Sequence, residues 1–143
     1  MKGFLSLSLV VCCGFTSILG VPQSIDTGKS DSAHRWKATI EGLVRDIACP
    51  IQNLEATATH LSMKCVLACA RNGSPLVILS KDGDLYLPIS DKMPDQDQRP
   101  TLMPFLGKYV RASVTVCERK GTHAIVIHKV QELKDIHLTI DNQ

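Results

Sequence analysis

Aromatic residues are scarce in this chain of 143: three Phe, two Tyr and one Trp. Basic residues are dispersed, and no run of them exceeds two. A protein that holds single-stranded nucleic acid ordinarily needs aromatic platforms in a basic groove. Past the N-terminal segment only Trp36, Tyr86, Phe105 and Tyr109 remain, spread where a core is expected. The composition therefore argues against nucleic acid, and against an anionic membrane held by charge. The motifs of common enzyme chemistry are missing too. No serine sits in a G-x-S-x-G turn, no glycine-rich loop is spaced for phosphate, and no carboxylate pair stands out. Ligand pairs of the C-x-x-C kind are also absent.

One long apolar run is present, from Phe4 to Ile18, behind the positive Lys2 and ahead of Ile18-Leu19-Gly20. This is the pattern of a cleaved signal peptide over residues 1–20, too short for a comfortable membrane span. Export to the periplasm or the exterior is expected. Val11 stands before Cys12 where lipidation wants a small residue, so anchoring through Cys12 or Cys13 is disfavoured. Residues 21–34, with Pro22 and a polar run, read as a flexible leader. Residues 35–133 are enough for one domain with one core. Loss of Lys2 leaves fifteen basic against fourteen acidic residues, near neutrality.

Residues 36–47 alternate, with Trp36, Ala38, Ile40, Gly42 and Val44 on one face, and predict a long half-buried strand. Gly42 inside it predicts a bulge or sharp bend, and Pro50 a stop. Residues 51–60 read as a connection. Ser62 suits a helix N-cap and Asn72-Gly73, followed by Pro75, a stop, so one short helix is expected, apolar nearly all round and largely buried. Asp82-Gly83 between two apolar runs predicts a hairpin. Residues 90–104, with three prolines, read as a mobile surface loop with a helical turn near 102–106. Residues 109–117 and 124–130 predict two more strands around Lys120-Gly121. Residues 134–143 read as a short edge strand or a tail. The expected class is mainly β: a small five-stranded OB-like Greek-key barrel with one short helix.

The densest chemistry lies in the middle third. Asp46, Cys49, His60, Cys65, Cys69 and Gly73 read D-x2-C-x10-H-x4-C-x3-C-x3-G. Cys49, Cys65, Cys69 and Cys117 remain after signal removal, an even count that in an exported chain suits disulfides. Cys65 and Cys69 stand one helical turn apart, so each needs a partner from elsewhere, and Cys49 is the natural one. Cys65 also falls at the third helical position, where the helix dipole favours a thiolate. Three thiolates with His60 would alternatively satisfy zinc or copper(I), with Met63 near enough to assist. Asp46 is expected to cap a turn or to orient His60. His123, His128 and His137 lack spaced partners and read as surface histidines.

The chain resembles a family of small exported bacterial proteins of OB-like architecture with no settled activity. The resemblance rests on Gly42-Leu43-Val44-Arg45-Asp46 with Cys49, on His60 with Cys65 and Cys69, on Gly73-Ser74-Pro75-Leu76 and Asp82-Gly83, and on residues 107–110. It covers roughly residues 38–131 and implies a periplasmic or membrane-associated location. It supplies no reaction, and Cys117 departs from its pattern.

Three readings follow. The first is an exported, non-catalytic small barrel whose Cys49, His60, Cys65 and Cys69 are either disulfide-bonded or hold a soft metal, zinc or copper. The second is a thiol-redox or electron-transfer accessory using Cys65. The third is an interaction module that meets an unknown protein partner through loop 90–104.

Overall fold

The alternation that begins at Trp36 folds as one long strand, β1 (His34–Asp46). A computed structural model describes residues 34–141, so the expected signal peptide, the Cys12–Cys13 pair and all of the leader except His34, which opens β1, lie outside the described residues. After β1 come α1 (Ala48–Gln52), β2 (His60–Ser62), α2 (Met63–Arg71), β3 (Leu76–Leu79) and β4 (Leu85–Pro88). Then follow α3 (Arg99–Leu102), a 3-10 turn (Met103–Phe105), β5 (Tyr109–Arg119), β6 (Thr122–Glu132) and β7 (Thr139–Asp141). Five strands close a barrel in the order β1-β3-β4-β6-β5. Its pairings are antiparallel except β4 with β6, which run parallel from Tyr86↔His123 to Pro88↔Ile125.

β1 serves two neighbours in turn. Its first part pairs with β5 from His34↔Glu118 to Leu43↔Tyr109, and its last part with β3 from Leu43↔Leu79 to Asp46↔Leu76. The change of partner falls beside Gly42, where a Cβ would collide with the carbonyl oxygen of Leu79 and lie 2.7 Å from its carbon. Only glycine lets the two backbones approach this closely.

The barrel interior is filled by Ile40, Val44, Ile78, Val110, Val114 and Ile125, among others. A second cluster, built on Leu43, Leu61, Val66, Leu79 and Tyr109, lies on the other face of β1. β1 therefore alternates as far as Glu41 but is buried on both faces from Gly42 to Asp46. Each large aliphatic side chain so buried contributes about 1.5–3 kcal/mol.

Several expectations change. Helix α2 keeps its predicted boundaries, but it buries only Val66 and Ala70 and leaves Lys64, Cys65, Leu67, Ala68 and Arg71 exposed. Two residues one turn apart are all its packing requires, and its remaining small apolar groups face solvent. The helix is not alone. Pro50, expected to stop β1, sits in the first turn of α1, where a missing N–H costs nothing. A further helical turn, α3, precedes the 3-10 turn. Segment 90–104 carries more hydrogen bonds than its composition suggested: Ser90 N–H donates to Asp95 Oδ1 at 2.7 Å, and Ser90 Oγ donates to the Lys92 carbonyl at 2.6 Å. Leu102 anchors it in the barrel core. The C-terminal residues supply an edge strand, β7, parallel to β2.

Gly42→Ala is expected to push β1 from β3 and lower unfolding stability by at least about 1–3 kcal/mol. Urea unfolding measures this; an unchanged midpoint would show that the two strands separate freely.

Candidate metal centre

β1 ends in the residue that begins the site. The Asp46 carboxylate accepts the Cys49 backbone N–H at Oδ2, 2.9 Å, and so caps the first turn of α1. Cys49 is thereby held over the start of α2. There Ser62 Oγ accepts the Cys65 N–H at 3.4 Å as N-cap. The other end of α2 closes with Ser74 N–H donating to the Cys69 carbonyl at 3.0 Å, past Gly73 at φ +87°. The start and stop signals named from the sequence both act as expected, and they set Cys65 and Cys69 one turn apart on a defined helix.

The three sulfurs of Cys49, Cys65 and Cys69 all lie within 4.8 Å of one another. A Zn–S bond of about 2.3 Å places tetrahedral ligands about 3.8 Å apart, inside that spacing. Cys49 Sγ and Cys65 Sγ are in contact at 3.0 Å. That is well beyond the 2.03–2.05 Å of a disulfide, and these cysteines are free. The expected Cys49 partnership is therefore present as a contact of two thiols, without a bond. Cys117 is half-buried on β5, opposite Arg35 and Ala124, and takes no part in the group.

The surroundings of Cys49 and Cys69 favour the protonated thiol. Burial first, then the Cys65 thiol and the Asp46 carboxylate, pushes the Cys49 thiol far up from its ordinary value. Cys69 is raised by burial and then by the negative charge of Asp46. Burial thus sets Cys49 and Cys69 against the thiolate form. A coordinated cation reverses that balance by deprotonating thiols outright.

His60 stands elsewhere than expected. It shares a cavity of about 370 Å³ with Cys49, Cys65, Arg45 and Asp141, but it is not among the groups within 4.8 Å. Its Nε2 lies 2.8 Å from Asp141 Oδ2 on β7, and its Nδ1 lies 3.2 Å from the Glu55 carbonyl. Both partners accept, so the two contacts are satisfied together by the protonated ring, and an imidazolium has no lone pair for a metal. Met63 packs against the second cluster rather than the thiols. Asp46 caps, which is one of its two expected roles, while His60 is oriented by Asp141 and the Glu55 carbonyl. His123 stacks on Tyr86 and His128 pairs with Thr115, both on the barrel wall.

Arg45 was missed from the sequence. Its guanidinium is buried and donates from Nη1 to the carbonyls of Thr57 and His60, 3.3 Å each, while Nε is buried without a partner. The available signal was an Arg-Asp pair at the end of a strand covered on both faces.

Comparison with known proteins finds no match: no family model, no curated protein and no solved structure.

The His60 pKa is raised by Asp141 first and by the Glu55 carbonyl second. A raised histidine value means that the link between β2 and β7 is complete below the unfolded-state pKa and fades as pH rises through the folded one. Asp141→Asn is expected to bring the His60 titration down toward its ordinary value. Histidine NMR titration checks this; an unmoved midpoint would remove Asp141 as the cause.

Proposed function

We propose that this chain is an exported, non-catalytic small barrel of OB type that holds one soft metal ion, zinc or copper(I), on Cys49, Cys65 and Cys69. The observation that carries the reading is the convergence of three sulfurs within 4.8 Å from two separate helices. Three thiolates supply most of the donor set that either ion needs. The OB assignment is supported by the strand order. Counted along the barrel alone it is 1-2-3-5-4 with the third and fifth strands parallel, and α3 lies between the third and fourth. The helical segment there is the one such a barrel ordinarily carries, and α2 is an addition. Export rests on the N-terminal pattern of Lys2 and residues 4–20. The resemblance to small exported bacterial proteins of this architecture belongs to the same proposal.

A second reading is favoured by the 3.0 Å contact of Cys49 with Cys65. In an oxidising compartment the two thiols join when an acceptor takes two electrons and two protons, and the loop between them pins α2 to α1 at a gain of about 3 kcal/mol. That form would be structural, leaving Cys69 free.

The reduced chain is expected to retain one Zn²⁺ or Cu(I) after desalting. Cys65→Ser should abolish retention, whereas Cys117→Ser should leave it intact. Intact mass with and without thiol alkylation, together with metal analysis, provides the measurement. A reduced chain that keeps neither ion, with a Cys49–Cys65 peptide in the oxidised form, would leave the structural reading in its place.

A further inference from the structure

The Asp46 carboxylate is fully buried, and its two oxygens have different fates. Oδ2 is occupied by the Cys49 N–H at 2.9 Å, whereas Oδ1 is buried with no hydrogen-bond partner. A buried carboxylate oxygen left without a partner is costly, and buried charges are ordinarily paired or bound to metal. No basic side chain among the described residues forms an ion pair with it. The neighbours it does affect are the thiols: its charge acts on both Cys49 and Cys69. It is a buried carboxyl group held next to Cys49, with one oxygen left without a partner.

We infer that Asp46 Oδ1 is the fourth ligand of the Cys49–Cys65–Cys69 site, giving an S3O donor set that selects Zn²⁺ over Cu(I). The inference rests on the metal reading of the cluster and deepens it. His60 is spoken for by Asp141 and the Glu55 carbonyl, so the nitrogen ligand expected from the sequence is not available in this arrangement. Asp46 already has the support a ligating carboxylate needs, because the Cys49 N–H fixes its other oxygen. The atoms within 4.8 Å are the sulfurs alone, so ligation draws the carboxylate inward as the ion enters. A hard oxygen donor suits a borderline divalent ion and adds little for a soft monovalent one. Three thiolates and a carboxylate around Zn²⁺ carry net negative charge. The buried guanidinium of Arg45, which no carboxylate among the described residues pairs and which lines the same cavity as Cys49 and Cys65, supplies the counter-charge.

The test uses the full chain, reduced, with Zn²⁺, Co²⁺ and Cu(I) as probes. Asp46→Asn keeps an acceptor for the Cys49 N–H and removes the charge. It should weaken Zn²⁺ binding at least about tenfold and shift the Co²⁺ ligand-field bands, while Cu(I) affinity stays within about twofold of the parent. His60→Ala should change none of these. Thermal unfolding separates a ligand from a cap. Metal-free Asp46→Asn should melt no lower than the parent, and with Zn²⁺ it should melt lower. An unchanged Zn²⁺ affinity and Co²⁺ spectrum would overturn the inference while the three-thiol site stands. So would a metal-free Asp46→Asn that fails to fold, because the carboxylate would then serve the turn alone. A parent chain that takes up neither Zn²⁺ nor Co²⁺ removes the site and the inference together.

Discussion

β1 hands its hydrogen-bonding from β5 to β3 at Leu43, and the rest of the domain follows from that exchange. A strand that keeps one partner on each side throughout makes an open sheet; a strand that changes partner part-way lets the sheet curl and close. The exchange demands a backbone approach that only Gly42 permits. It also leaves the second half of β1 with an outer face that must be covered. Leu61, Val66 and Tyr109 cover it, and in doing so they bring β2 and α2 against the strand end where the thiols gather. The gathering of the three thiols is thus a by-product of the way the barrel closes.

Electrostatic strain concentrates at the same place. Arg45 and Asp46 are the two buried charged residues among the described ones, adjacent in the chain and therefore directed to opposite faces of the strand. Each has polar atoms left over, Nε on one and Oδ1 on the other. Elsewhere the charged groups make ordinary exposed pairs such as Glu41 with Arg111 and Lys108 with Glu132, which contribute little to stability. A fold selected for stability alone would have placed apolar residues at the end of β1. Asp46 holds the turn that carries Cys49, whereas Arg45 ties the connection before β2 through the carbonyls of Thr57 and His60.

Much of the fold was legible because it is written in short-range signals. Period-two alternation marks β1 and β5, Ser62 and Asn72-Gly73 bound α2, and Asp82-Gly83 marks the turn between β3 and β4. What stayed hidden depends on partners far along the chain. The three residues of β2 have no period of their own and become a strand only by lying beside β7. The parallel closure of β4 on β6 leaves no local trace. The convergence of Cys49, Cys65 and Cys69 was readable from spacing, since the strand end and one helical turn fix it. The diversion of His60 was not, because its partner Asp141 arrives from the last strand. Pro50 misled because proline ends a strand and begins a helix equally well.

The separations along the chain also set what each contact costs to close. Cys49 and Cys65 are sixteen residues apart, whereas the ion pair that links β1 to β5 joins residues seventy apart. Short loops close at lower entropic cost than long ones, and pairings remote in sequence are the slow ones. Closing the segment between the thiols therefore costs less chain entropy than pairing β1 with β5. The contact that sets the end of β1 against α2 is thus a local one, while the closure of the barrel depends on residues far apart in the chain.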